Sequence, residues 1–406
     1  MNAVSPLTIP ADEPLASSAG GPAFDAPALT GMRAIAAFMV MALHVGIYTG
    51  QVASSWLGIG QGGPLGIVLA RCTVAVPVFF VLSGFLLYRP YAAAGLAGRG
   101  RPATLRYLGH RALRILPPYW MAALAALLLF APVHPWAALR ALLLLHIYGQ
   151  GGIPAGITQT WSLATEVAFY LVLPLIAVVL HPLLRRPAMA FAALGVLEVV
   201  TIVSVLATHV PSAGAYPQAN FWLPEYLGYF AAGMALAVVS ASGARFGALA
   251  RYPWAGWGVA LVGYMLLSSP ITGSTSFYPT VGQALLEHVL NMVVAVALVA
   301  PLLAAPARGP ARPLAQGIPA WLGRISYGLF LWHMVVVESW FRLTETGPGT
   351  VSFALLFPIT VAVTTVLAWL SYILIESPAR RLRRAFPSTR RKTADGIAET
   401  TASLGR

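Results

Sequence analysis

The chain has 406 residues, 58% of them hydrophobic and only 9% charged. Such a balance lies far outside soluble averages, and the apolar runs are continuous rather than alternating, which excludes a closed β-barrel as well as a soluble globule. A formal net charge of +13 would suit nucleic acid, but no basic face interleaved with aromatics occurs in a soluble segment; arginines flanking membrane spans account for the charge, and no nucleic-acid partner is expected.

Residues 1–27 are rich in Pro, Ala, Ser and Gly and carry Asp12, Glu13 and Asp25 with no basic residue. The basic n-region of a signal peptide is missing, so a disordered cytoplasmic lead-in is expected. The first predicted span, near 28–49, contains LTGMRAIAAFMVMALHV with Arg33 and His44. Ionisable groups inside a span are costly and mark functional sites. Eleven helical residues return within roughly 20° of the same direction over roughly 16 Å of rise, so both side chains share one face. That spacing suits a long substrate with an anionic head and a reactive far end. A snorkelling arginine and a packed histidine fit it too.

The second span, near 68–89, opens on Cys72, the single cysteine, which permits no internal disulfide and is expected to be structural. Ser83-Gly84 in the same span would allow close helix approach. GIGQGGPLG just before it lacks the lysine of a phosphate loop. In the third span, near 112–131, HRALRILPPYW places Arg111 and Arg114 three residues apart at its start, where arginine forks match phosphate oxygens. The fourth, near 161–180, carries QTWSLATEVAFYLVLP. Ser162, Glu166 and Tyr170 follow each other at i,i+4, with Trp161 alongside. Glu166 is placed to orient His44 and hold its tautomer, as the acid does in a triad, or to cap the helix.

Spans near 188–208, 222–240, 253–269 and 282–303 carry the lone Glu198, Glu225 near the outer face, and Glu287-His288, whose adjacency points them in different directions. The ninth span, near 321–342, contains LGRISYGLFLWH with Ser326, Tyr327 and His333; Ser326 and His333, seven apart, share roughly one face. There a hydrogen bond within the bundle is favoured over catalysis for His333, and Glu338 lies toward the outer face. The tenth, near 352–376, ends in IESPARRLRR, where Glu376 is expected to pair with an arginine such as Arg114.

An eleventh apolar run, 137–148, is short. Counting it as a span would put Arg185, Arg186 and the stretch from Arg380 to Lys392 outside, against the positive-inside rule. Leaving it at the outer surface or re-entrant gathers the loop 89–111 (Arg89, Arg99, Arg101, Arg106, Arg111), Arg185/Arg186, Arg245/Arg251, Arg308/Arg312 and the basic tail on one side. The loops 50–67, 209–221, 270–281 and 343–351 hold no lysine or arginine. The predicted fold is therefore an all-α, polytopic membrane helix bundle of about ten transmembrane helices, multi-pass in the plasma (inner) membrane with both termini cytoplasmic. Its organisation is a disordered segment at 1–27, a transmembrane domain at 28–378 and a basic cytoplasmic tail at 379–406. No metal-ligand spacing and no permanently bound cofactor are evident. No strong internal repeat supports a transporter, although an Arg/His/Glu path for a proton or small anion remains the alternative use of these residues.

Arg33 through His44 (an R-x10-H spacing), VPVFFVLSGFLLYRPY at 76–91, RALRILPPYW, WSLATEVAFYLVLP, LGRISYGLFLWH and ESP occur in this order from residue 29 to 378. Together they resemble the acyltransferase-3 family of integral membrane acyltransferases. The resemblance implies O-acyl transfer from acyl-CoA (acetyl- or propionyl-CoA as co-substrate) to a hydroxylated small-molecule or glycan acceptor. Some members carry a fused extracytoplasmic hydrolase-like domain; none is expected here. Stand-alone members include macrolide O-acylating enzymes, which the Ala/Gly/Pro- and Arg-rich composition of a GC-rich producer fits. On that basis His44, as general base or transient acyl carrier, Glu166 and Arg33 are the catalytic candidates, and Arg111, Arg114 and Arg33 the candidates for the CoA phosphates. Trp161, Ser162, Tyr170, Ser326, Tyr327 and His333 are the candidates for substrate contact.

Overall fold

In the computed structural model, residues 26–52, 63–130, 133–149, 152–210, 218–244, 246–273 and 279–382 are described. The expected lead-in at 1–25, most of the glycine-rich stretch before the second span, Arg245 and the tail beyond 382 lie outside them. The described residues form helices and connecting turns without a strand.

The order is α1 (Pro27–Tyr48), α2 (Gly63–Ala70), α3 (Ala75–Leu96), α4 (Thr104–Leu129), α5 (Pro135–Leu142), α6 (Trp161–Leu183), α7 (Pro187–Thr208) and α8 (Leu223–Ala241). There follow α9 (Ala248–Arg251), α10 (Pro253–Leu267), α11 (Val281–Ala304), α12 (Ala311–Leu314), α13 (Gly317–Arg324), α14 (Ser326–Thr344), α15 (Phe353–Ser371) and α16 (Ser377–Arg381). All ten predicted spans are helical. Among the described residues, eight helical stretches are long and apolar enough to cross a bilayer. A ninth qualifies only as the pair α13–α14, bent by 71°. The tenth, α10, has fifteen residues, about 22 Å of rise against a hydrocarbon core of about 30 Å. The run at 137–148 is not a span: it forms the eight-residue α5 and the turns after it, and Tyr119 of α4 fastens it by donating to Ala141 O at 2.5 Å.

Packing follows small residues. A Cβ on Gly84 would stand 2.2 Å from Phe230 O, and one on Gly233 would stand 2.1 Å from Val81 O. The two glycines thus let α3 and α8 touch backbone to backbone, the contact that drives helix association where lipid is as apolar as leucine. The core of α1, α3, α6, α8 and α14 is filled by Met32, Phe80, Phe85, Phe169 and Phe230, each at most 1% exposed. On α7, Val196, Val199 and Val203 stay exposed, as do Leu355, Val363 and Val366 on α15; these faces suit lipid.

Three polar pairings hold helices together away from α1. Arg71, buried in the short 3-10 turn between α2 and α3, sits 3.5 Å from Glu287 and donates to Gly273 O at 2.8 Å. Glu198, expected to be alone, meets His288 Nε2 at 2.7 Å. Glu287 and His288 therefore point to different partners, as their adjacency predicts. Glu225 accepts from Ser204 at 2.7 Å. Cys72 is buried beside the Tyr264 hydroxyl at 3.4 Å, a packing role. Arg71 lay within a predicted span yet was not singled out, because its partner, more than two hundred residues away, is invisible to local patterning.

Candidate active site

α1 lies along α14, and their contacts define two levels. At the level of Arg33 a pocket opens, lined by Arg33, by Ser83 of α3, by Ser162 and Glu166 of α6, and by Ser326 and Tyr327 of α14. It encloses about 560 Å³ counted to its open mouth. Its apolar wall includes Phe79, Phe80 and Phe330. Three turns further along α1, His44 Nδ1 lies 3.2 Å from His333 Nε2, with ring centroids 5.1 Å apart. One turn beyond, Tyr48 donates to Glu338.

Ser83 donates to Glu166, and the Tyr170 hydroxyl bonds the same carboxylate. Ser162 spends its hydroxyl on Gln159 O at 3.1 Å. Ser326, 1% exposed, keeps its hydroxyl without a partner although it lines the pocket. Tyr327 donates to Ile115 O at 3.0 Å, beside Pro117 and Pro118 inside α4, which supply no N–H to the preceding turn. Arg33 Nε is buried without a partner. Arg114 has Arg33, Arg380 and Arg111 as like-charged neighbours and Glu376 as the one opposing charge. The end of the bundle around Arg33 is thus strongly cationic. Glu376 pairs with Arg380 rather than with Arg114; they are i,i+4, and a π turn at Tyr372–Glu376 joins α15 to α16, so the closer arginine on the same helix takes the carboxylate. Trp161 packs on Phe221 and Tyr226, with centroids 5.1 and 5.3 Å away, outside the pocket lining.

The histidine pair has one self-consistent proton assignment. His44 Nδ1 is 2.9 Å from Val40 O, and His333 Nδ1 is 3.2 Å from Leu329 O. A carbonyl only accepts, so each Nδ1 carries its proton, and each Nε2 presents a lone pair. His44 Nδ1–H then serves both Val40 O and His333 Nε2. His44 Nε2 has no partner among the described residues, and His44 is only partly buried whereas His333 is fully so. A neutral imidazole with an open Nε2 is a proton acceptor.

Two expectations change. Glu166 does not orient His44: it sits on α6 and turns to Ser83 of α3 and Tyr170, while His44 turns to α14, where His333 stands. Nor does the Arg33 pocket run on to His44. Its lining includes Phe79 and Phe330, 6.5 Å apart between centroids, but neither histidine, and the Phe330 ring is 6.2 Å from that of His333. Local spacing gave no sign of this wall, because its two rings come from α3 and α14. Gln159 was also missed: buried, it donates to Phe330 O and Leu331 O at 3.2 and 2.9 Å, fixing α14 beside the histidine.

The Acyl_transf_3 family, described as an acyltransferase domain, matches residues 27–373. Acyltransferase MdmB of Streptomyces mycarofaciens is 27% identical over 392 residues, which cover 88% of this chain and 92% of that protein. Peptidoglycan O-acetyltransferase OatA of Listeria monocytogenes serovar 1/2a is 23% identical over 377 residues, 87% of this chain and 56% of that one. Putative peptidoglycan O-acetyltransferase YrhL of Bacillus subtilis strain 168 is 24% identical over 386 residues, 87% and 55% respectively. The chain thus spans nearly all of the first relative and about half of the other two. No solved structure matches it with significance. With the family match running from the first residues of α1, through the pocket and both histidines, to the π turn before α16, the chain belongs to the acyltransferase-3 family of integral membrane acyltransferases.

Proposed function

We propose that this membrane O-acyltransferase moves an acyl group from acyl-CoA, acetyl- or propionyl-CoA by preference, to a hydroxyl of a sugar, glycan or macrolide-type acceptor. The observation that carries the proposal is the orientation of His44, whose Nδ1–H is committed to Val40 O and His333 and whose Nε2 is open to receive a proton. The donor's phosphates meet Arg111, Arg114 and Arg33, and its pantetheine arm lies in the pocket beside Ser326 and Glu166. The thioester passes Phe79 and Phe330 to reach His44, and the acceptor enters on the open side of that imidazole. His44 Nε2 takes the acceptor's hydroxyl proton as its oxygen attacks the thioester carbonyl. The carbon–sulfur bond then breaks, and the imidazolium returns the proton to the CoA thiolate. Transfer closes with no net proton change.

In this reading the cationic end of the bundle faces the cytoplasm, where acyl-CoA is found. Membership of an acyltransferase family supports group transfer over an ion path through the same residues.

Purified protein incubated with a panel of acyl-CoAs and hydroxylated acceptors, read by mass spectrometry, tests the proposal. Acylated acceptor and free CoA in equal amounts are expected. Retained turnover by His44→Ala at matched protein levels removes the base assignment, and unchanged CoA affinity in Arg114→Ala removes the phosphate assignment.

A further inference from the structure

Between α3 and α4, beside the cationic cluster, two phenols pack edge to face. The rings of Tyr91 and Tyr107 are 6.1 Å apart between centroids, and Tyr91 is 3% exposed. Neither hydroxyl has a hydrogen-bond partner, and neither reaches solvent. Buried polar groups are nearly always paired, and leaving one unpaired costs about 1–3 kcal/mol. Two such groups side by side are a reason to look for what satisfies them.

The charges around them are predominantly positive. Arg111 acts on both hydroxyls and Arg101 on that of Tyr91, against one acid, Glu166, that acts on Tyr107. Arg111 in turn neighbours Arg114, and its own Nε is buried without a partner. Two O–H groups and a guanidinium N–H are thus vacant donors gathered in one place. The acid of this region, Glu166, already accepts from Ser83 and Tyr170. A site made of donors and positive charge selects a ligand made of acceptors and negative charge, and a phosphate offers several strong acceptor oxygens. Tyr88, whose hydroxyl is likewise unpaired, has no charged group acting on it and is left out.

We propose that Tyr91, Tyr107 and Arg111 form a phosphate subsite, in which the two phenol hydroxyls and the guanidinium donate to the phosphate oxygens of a nucleotide thioester. The subsite rests on the proposed use of acyl-CoA and extends it to two tyrosines on α3 and α4. They act as positioning and affinity groups, remote from the thioester.

The test uses the full chain in detergent or nanodiscs, with Tyr91→Phe, Tyr107→Phe and the double variant. Phenylalanine keeps the ring packing, so size-exclusion behaviour matching wild type is expected. Two donors are compared: acyl-CoA, and the acyl thioester of N-acetylcysteamine, which carries the reacting group without phosphate. The double variant is expected to raise KM for acyl-CoA about tenfold or more, with kcat altered less than about twofold and KM for the truncated donor unmoved; tenfold corresponds to about 1.4 kcal/mol. An unchanged KM for acyl-CoA in an enzyme that turns it over overturns the subsite and leaves the donor assignment standing. An equal rise for both donors also overturns it, since the effect is then structural. A wild-type enzyme that uses the truncated thioester but neither binds CoA nor uses acyl-CoA overturns the subsite and the donor assignment together.

Discussion

His44 and His333 reproduce with two imidazoles what a histidine and a carboxylate do elsewhere. In the triad arrangement an acid accepts Nδ1–H and stabilises the charged ring. Here Val40 O and the neutral His333 Nε2 share that proton, so orientation is secured without a buried charge, which inside a membrane saves a large desolvation cost. Under the proposed mechanism, replacing His44 by alanine removes the base, and a fall in kcat of about 10²–10⁴ is expected, measured as acceptor-dependent CoA release. His333 acts one step back. His333→Leu removes the acceptor facing His44 Nδ1, and kcat is expected to fall about tenfold or more while KM for acyl-CoA holds. His333→Gln presents an amide oxygen in its place and is expected to recover much of that loss. If the leucine and glutamine variants are equally impaired, His333 serves packing alone. The R-x10-H spacing revealed the face on which His44 lies. Its partner sits 289 positions away, and no local period can report such a pairing. Glu166 was the more conspicuous residue in the sequence, being charged in an apolar run, yet its bond goes to Ser83.

Elements were legible where length and apolarity coincide. The spans at α1, α4, α6, α7 and α11 follow directly from about twenty apolar residues, and the positive-inside rule correctly kept 137–148 out of the count. The bend between α13 and α14 was not legible, because the hydropathy of LGRISYGLFLWH runs on through it. The wall of Phe79 and Phe330 was hidden for a related reason: an aromatic in a membrane helix looks the same whether it faces lipid or a pocket. Two predictions belong to this scale. Phe79→Ala opens the wall between the pocket and the histidines, and the preferred acyl chain is expected to lengthen by several carbons, seen as a shifted kcat/KM profile across an acyl-CoA series; an unchanged profile would mean that chain length is set elsewhere. Gly84→Val puts a side chain where even a Cβ lies 2.2 Å from Phe230 O. The α3–α8 contact must open, at about 1–3 kcal/mol for an overpacked interface. A lower thermal midpoint in detergent is expected, together with reduced folded yield.

At the scale of the whole molecule the two ends of the bundle differ in kind. Around Arg114 gather Arg33, Arg111 and Arg380, with Arg101 near Tyr91. The opposite end holds the turn after α14, where Gly349 N–H donates to Tyr48 O at 2.8 Å, and Glu338 meets Tyr48. An anionic donor taken at the first end and an acceptor admitted at the second would give the reaction a direction across the membrane. Orientation is therefore the molecular property on which the mechanism depends. Gly100 lies exposed in the turn between α3 and α4, and Gly347 lies exposed in the turn after α14; neither has an atom within 4 Å of where a Cβ would stand. The single native thiol, Cys72, is buried and is replaced by alanine as background. In intact cells a membrane-impermeant maleimide is expected to label Gly347→Cys and to spare Gly100→Cys until the membrane is opened. The reverse pattern would place the arginine cluster outside, away from cytoplasmic acyl-CoA. His44 would then have to draw its acyl group from a donor on the other side of the membrane.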